Sequence, residues 1–142
     1  MLYIPQNSKF KKFHKGKRLF RLQNNLNILH INKTLLLRST EPGRLNSRQI
    51  ITLKQSINKL IKKRGKNFIK IFPNIGISKK PREIRMGKGK GAVDHWICKI
   101  KAGALLCEMF LTSLSIKPGI KSLKLIQKKL PFHTQILKKS IL

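Results

Sequence analysis

Between residues 79 and 91 the chain reads KKPREIRMGKGKG, with six cationic side chains, one acid and three glycines in thirteen residues. Nothing in this stretch can build a core, since Ile84 and Met86 are its only sizeable apolar side chains. What it can do is hold an anion. Glycine lets a backbone approach closely, main-chain N–H groups point at phosphate, and Lys and Arg neutralise its charge. The candidate charges are Lys79, Lys80, Arg82, Arg85, Lys88 and Lys90, with Met86, Gly87, Gly89 and Gly91 shaping the tip. Two nucleotide-loop readings fail on spacing. Gly87-Lys88 is followed by Gly89 rather than the Ser or Thr that a Walker loop uses to hold magnesium. A dinucleotide fingerprint needs a helix after its glycines, and here a strand pattern comes next. The plain alternative is a solvated charge run.

Other chemistry is poorly supplied. Glu41, Glu83, Asp94 and Glu108 are the only acids, and no two are close in sequence. A two-carboxylate or two-metal site would use up most of them. His14, His30, His95 and His133 are scattered, without zinc-ligand spacing. The inventory therefore predicts no enzyme, no metal and no cofactor. Cys98 and Cys107 are too few for a disulfide scaffold. No stretch reaches membrane-spanning length free of charge, and the first ten residues show neither signal-peptide nor transit character.

The balance of charge names the partner class. Lys and Arg total 33 against 4 acids in 142 residues, a net charge of +29. Free in solution such a chain repels itself, so it needs a polyanion. The charge is spread along the whole chain, which favours RNA contact on several sides over a single basic face on DNA. An anionic membrane surface is the lesser option, because the one well-capped helix fits a domain more simply than an independent amphipathic peptide. The chain holds 25 Lys, 19 Ile and 9 Asn but only 3 Ala. AT-rich coding, common in organelles, produces that bias.

The elements that must position these groups can be read in order. Residues 1–21 form a basic arm, with Lys9, Lys11, Lys12, Lys15, Lys17, Arg18 and Arg21 interleaved with Phe10, Phe13, His14 and Phe20. Its aromatic rings either anchor the arm on the domain or stack on bases. Residues 22–142 are expected to form one α+β domain. Asn-rich residues 22–33 read as turn and irregular strand, and Leu35 to Leu37 as a short buried strand ending at the turn Glu41-Pro42-Gly43. Asn46 and Gln49 form a capping box for a helix over 47–64, with Ile50, Leu53, Ile57, Leu60 and Ile61 on its buried face and Gly65 as its stop. Lys62, Lys63 and Arg64 suit the negative end of that helix dipole. They and Arg48 are equally placed to meet phosphate.

Residues 67–72 alternate as a strand, with Phe68, Lys70 and Phe72 on one face and Ile69 and Ile71 on the other. Residues 94–101 and 104–110 are expected to form a hairpin around Ala102-Gly103. In that register Cys98 faces Cys107, Ile100 faces Leu105 and Trp96 faces Met109. The cysteines are then either a cross-strand disulfide or two small buried side chains, and the second reading is the commoner one. Ile116, Ile120, Leu123 and Leu130 outline a last helix ended by Pro131, and residues 133–138 read as a final strand.

Several blocks taken together resemble the L-sixteen family of large-subunit ribosomal proteins of bacteria and organelles. They are KFKKFHKGK (9–17), RLNSRQI (44–50), KRGKNFIKIFP (63–73), KKPREIRMGKGKG (79–91), Trp96, Glu108-Met109 and KLPFHT (129–134), in order and spacing. The resemblance covers most of 5–139 and departs at 19–36, at Asn74, at Phe110-Leu111 and at Pro118. It implies an α+β fold of two helices packed on an antiparallel or mixed sheet. It implies a structural place on large-subunit rRNA beside the peptidyl transferase centre, among neighbouring ribosomal proteins. The family helps to position tRNA near the aminoacyl-tRNA site and does not itself catalyse peptide transfer.

Carried onto this sequence, the resemblance makes the arm from Lys9 to Lys17, with Lys9, Lys11, Lys12, His14, Lys15 and Lys17, an rRNA-binding segment; the overall charge adds Arg18, Arg48, Lys63, Arg64 and Lys66 to the expected rRNA-binding set. Residues 79–91 become a loop facing rRNA and tRNA. The start at a position typical of compact bacterial members, with the AT-rich bias, points to a product encoded in an organelle, and the divergence from the family pattern favours a mitochondrion. A plastid or a bacterial cytoplasm is the alternative. The competing class is a free nucleic-acid binder or RNA chaperone outside the ribosome.

Overall fold

A computed structural model describes residues 3–16, 34–62, 65–111 and 116–139. Seven strands and two helices are present among them. In order they are β1 (Thr34–Ser39), β2 (Gly43–Asn46), α1 (Ser47–Ile61), β3 (Gly65–Ile69), β4 (Ile75–Ser78), β5 (Val93–Ile100), β6 (Leu105–Leu111), α2 (Lys117–Gln127) and β7 (Thr134–Lys139). The expected α+β class holds, with the strands divided between two antiparallel sheets. One has the order β3-β6-β1-β7 and the other β2-β5-β4.

Helix α1 forms where its sequence asks it to. Asn46 sits at the N-cap in extended conformation, and its N–H donates to Gln49 Oε1 at 2.8 Å, the returning half of a capping box. Ile50, Leu53, Ile57 and Ile61 are buried at helical spacing. Each stabilises the fold by about 1.5–3 kcal/mol through burial. The helix stops three residues short of the expected end. Lys62 turns to φ 51°, its N–H donating to Asn58 O at 2.9 Å, so the break precedes Gly65, which instead opens β3. Arg64 and Lys63 lie outside the described residues, as do residues 22–33.

Helix α1 packs on α2 and on β2, β3 and β5, while α2 packs on β1 and β7. Leu35, Leu37, Leu45, Leu106, Met109, Leu123 and Ile126 fill the space between. Pro118 is accommodated in the first turn of α2, where a missing N–H costs nothing. Strand β7 pairs with β1 as a last strand, close to the expected 133–138.

The expected hairpin over 94–110 does not form. A turn is present at 101–104, with Ala104 N–H donating to Lys101 O at 3.1 Å. Only its second central residue, Gly103, has positive φ (82°). A two-residue hairpin needs positive φ at the first central residue as well, or instead, so this turn splays its strands apart. Gly103 N–H and Ser39 N–H then tie the turn to β1, through Ser39 O at 2.8 Å and Ala104 O at 2.9 Å. The two strands enter different sheets. Cys98 lies opposite Leu45, and Cys107 opposite Leu37 and Ile69. Trp96 lies opposite Gly76, Ile100 opposite Gly43, Met109 opposite Leu35 and Asn67, and Leu105 opposite Arg38. Strands β2 and β4, which take both edges of β5, carry too little pattern to be seen in the sequence.

Both cysteines are free thiols. Burial, reinforced by the neighbouring Glu108 charge, pushes the Cys107 thiol up to about 12, and burial raises Cys98 as well. A raised thiol pKa depletes the reactive thiolate at neutral pH. Alkylation at pH 8 is expected to spare Cys107 in the folded protein. Denaturation without reductant should then yield two adducts by mass spectrometry; a protein that takes up none would carry the bond this fold forbids.

Glu108 is the buried acid of the fold, opposite Leu36 and Phe68, and pairs with Lys70 Nζ at 3.2 Å. Lys70 is half-exposed, so solvent screens part of the pair. Lys70→Met should cost about 1–3 kcal/mol in urea unfolding, because it strands a buried carboxylate. The double variant K70M/E108M should recover most of that loss.

Candidate nucleic-acid interface

The basic stretch 79–91 is the connection of the β4–β5 hairpin, standing on the three-stranded sheet. Beyond the paired strands the ladder runs one bond further, with Lys79 N–H donating to Ala92 O at 3.1 Å. A Cβ on Gly91 would meet Lys79 O at 2.6 Å, so the two sides of the loop base touch through a residue with no side chain. Above that base every residue from 81 to 90 is exposed. Gly87, Lys88 and Gly89 turn the tip through three successive positive φ values, 93°, 52° and 85°. That path suits glycine, and Lys88 accepts it under strain.

The six cations of the loop do not play equal parts. Lys80 Nζ donates to Gly87 O, drawing the tip back over the base. Lys90 Nζ donates to Phe13 O, tying the loop to the arm. Arg82, Arg85 and Lys88 stay on the exposed tip with no hydrogen-bond partner among the described residues. Met86 is fully exposed beside them, an apolar side chain with nothing of its own chain to cover it. A tip built this way offers fixed positive charge and one soft apolar contact to whatever docks on it.

The arm reaches the same sheet. Phe13 packs edge-on against Trp96, with centroids 5.0 Å apart, and its ring also closes on Gly76. Arg44 Nη2 donates to Gly16 O at 3.2 Å. Phe13 is thus an anchor, whereas Phe10 is exposed, with Lys9 Nζ 5.7 Å from its ring centroid. Lys9, Lys11, Lys12, His14 and Lys15 all face outward on the anchored backbone. Lys17 and Arg18 lie outside the described residues.

Arg48, at the start of α1, comes close enough to the loop base to act on Asp94. The hydrogen bond from His95 (Nδ1 to Oδ2, 2.9 Å) holds Asp94 below the usual carboxylate range, and the charges of Lys79 and Arg48 add to it. The arm, the loop and Arg48 therefore gather around one sheet. Lys66 does not join them, since it is exposed on β3 at the edge of the other sheet.

One further basic surface is visible only with the helix in place. Lys117, Lys121, Lys124 and Lys128 recur at i, i+4, i+7 and i+11 along α2 and its end, and with Ile120 and Leu125 they line a shallow groove. The lysine spacing is present in the sequence, but the apolar stripe of the same helix is the stronger pattern and masks it. No acid follows Glu108 in the chain, so these like charges have no local counter-ion. Each such neighbouring pair costs a helix about 0.2–0.5 kcal/mol until an anion arrives. The triple variant K121Q/K124Q/K128Q should weaken binding to a structured RNA. It should also reduce the slope of log affinity against log salt by about two to three, the value for three lost phosphate contacts.

Two comparisons with known proteins agree on what this arrangement is. The family model for ribosomal protein L16p/L10e matches residues 5–137. The large ribosomal subunit protein uL16 of Psychrobacter arcticus is 39% identical over 143 residues, covering 97% of this chain and 98% of that protein. The uL16 of Psychrobacter cryohalolentis matches to the same degree. That of Acinetobacter baylyi is 36% identical over the same coverage. With the matched residues spanning arm, loop and both helices, the chain belongs to the ribosomal protein L16p/L10e family.

Proposed function

We infer that this protein is a structural constituent of the large ribosomal subunit, bound to large-subunit rRNA and touching neighbouring ribosomal proteins. Its positive side chains neutralise rRNA phosphates, and its loop 79–91 helps to position tRNA near the peptidyl transferase centre. Family membership carries the first statement. For the tRNA role the supporting observation is the exposed tip, where Arg82, Arg85, Lys88 and Met86 stand clear of the domain on a base held by backbone contacts. A base held by backbone contacts leaves less main-chain entropy to lose when the tip binds.

The chain acts as a scaffold and not as an enzyme: its acids are either paired or dispersed, and the rRNA supplies the reaction. Residues 1–21 serve as an arm and 22–142 as the rRNA-binding domain. The anchoring of Phe13 and Gly16 on the β2-β5-β4 sheet supports that division. No described helix is long and apolar enough to cross a membrane. A mitochondrial ribosome is the proposed setting, on the strength of the Lys-, Ile- and Asn-rich composition. The relatives named above are bacterial.

Sedimentation of native extract through sucrose, at low and high salt, tests the main reading. The chain is expected to travel with the large subunit under both conditions. A slow pool that salt releases fully would transfer the lead to a free RNA-binding protein. Within the subunit, the Arg85→Ala/Lys88→Ala variant should reduce tRNA accommodation severalfold while incorporation stays near normal. Equal loss of the two would remove the loop's role with tRNA.

A further inference from the structure

The stretch from Lys66 to Phe72 does something the loop and the arm do not. Along it exposure alternates strictly. Lys66, Phe68, Lys70 and Phe72 face outward, while Asn67, Ile69 and Ile71 turn inward. The inward side is fixed, with Asn67 Nδ2 donating to Asn58 Oδ1 at 2.8 Å and Ile71 buried. The first five residues of the segment that opens at Gly65 are β3, the edge strand of the four-stranded sheet, and Lys70 N–H extends the ladder to Leu106 O at 3.0 Å. The result is cation, ring, cation, ring at steps of about 7 Å, the two-residue repeat of an extended chain.

Both rings are held upright by another aromatic side chain. Phe68 meets Phe110 edge-to-face, with centroids 5.4 Å apart at 81°. Phe72 meets Tyr3, with centroids 5.5 Å apart at 52°. Yet Phe68 remains 50% exposed and Phe72 48% exposed. Two half-exposed rings on one face, each next to a lysine, make an exposed aromatic and cationic patch rather than a single stray surface hydrophobe. The acid on this face is Glu108, which is buried and paired with Lys70. What the face offers outward is therefore aromatic and cationic, with no exposed carboxylate in the strand.

That combination fits a ligand with flat rings strung on a negative backbone. We propose that the Lys66–Phe68–Lys70–Phe72 face is a stacking surface for unpaired nucleotides of the large-subunit rRNA. Bases lie against Phe68 and Phe72, and Lys66 neutralises the adjoining phosphate. Stacking on an aromatic ring requires an unpaired base, because bases inside a duplex are already stacked on each other. A protein strand adding to the same edge is disfavoured by the two lysines that guard it. The proposal rests on the reading of this chain as an rRNA-bound subunit component, and it specifies which part of the RNA this edge meets.

The test uses the full chain assembled in the large subunit, with photoreactive p-benzoylphenylalanine at position 68. Irradiation should crosslink it to an rRNA nucleotide outside helices. That base should gain reactivity to chemical probing in F68A subunits, stay protected in F68W and be exposed in F68L, since leucine keeps the apolar surface but not the ring face. F68A should also weaken binding of the chain to its rRNA region about tenfold. A crosslink to a protein, no crosslink, or protection by F68L equal to that by F68W would overturn the proposal. F72A serves as the second variant, beyond the paired strand, should F68A fail to assemble, and should expose a neighbouring base. If the chain sediments with the large subunit while the crosslink goes elsewhere, this inference alone falls. If the chain does not sediment with the subunit, the ribosomal reading falls with it.

Discussion

The constraint on which everything else depends is uncompensated positive charge. With 33 cationic side chains and 4 acids, internal ion pairing cannot neutralise the molecule. Among the described residues the pairings are Lys70 with Glu108 and His95 with Asp94. Of the other described cations, Lys80, Lys90 and Arg44 donate to backbone carbonyls and Lys129 to Ser56 Oγ, while Arg82, Arg85 and Lys88 are among those that face solvent. At physiological ionic strength charges closer than about 8 Å still repel, so such a surface is completed only by a polyanion. The fold answers by keeping its core small and, Glu108 apart, free of charge. It distributes the cations over the arm, the loop, α2 and β3 rather than concentrating them.

The smaller sheet is the mounting for the most exposed of these elements. Strand β5 is held on both sides, by β2 and β4, and the β4–β5 pairing closes the base of the loop. The arm lies on the same sheet through Phe13 and Gly16. Lys90, donating to Phe13 O, couples the two projections directly. A loop with no core of its own thus gains position from backbone hydrogen bonds and one aromatic contact. The four-stranded sheet plays the other part. Its inner face and the two helices enclose the core. Its edge presents the half-exposed rings of Phe68, in β3, and Phe72, just beyond that strand.

Much of this was legible in the residues. The α1 cap and stripe, the alternation of 67–72 and the final strand all came from local pattern. So did the exposure of the loop. Local pattern failed where the deciding contact was distant. The hairpin expected around Ala102-Gly103 had a continuous apolar face in its favour, but that face is equally satisfied by β1 and β3 on one strand and β2 and β4 on the other. The turn at 101–104 is consistent with that division, with positive φ at Gly103 alone. Strand β2, four residues long, is indistinguishable in sequence from the turn before it.

The amino-acid sequence by itself determined the partner class, the α+β composition, the position of the basic loop and its family, because charge, capping and blocks of residue type are properties of short stretches. Tertiary structure alone decided how the strands divide into two sheets and which loop cations point outward. It also decided that the arm and loop share one sheet and that Phe68 and Phe72 stand half-open on an edge. The physical reason is that each strand has two edges and two faces. Which neighbours occupy them is settled by contacts between residues far apart in the chain, such as Leu35 with Met109 or Phe13 with Trp96. No local pattern encodes those contacts.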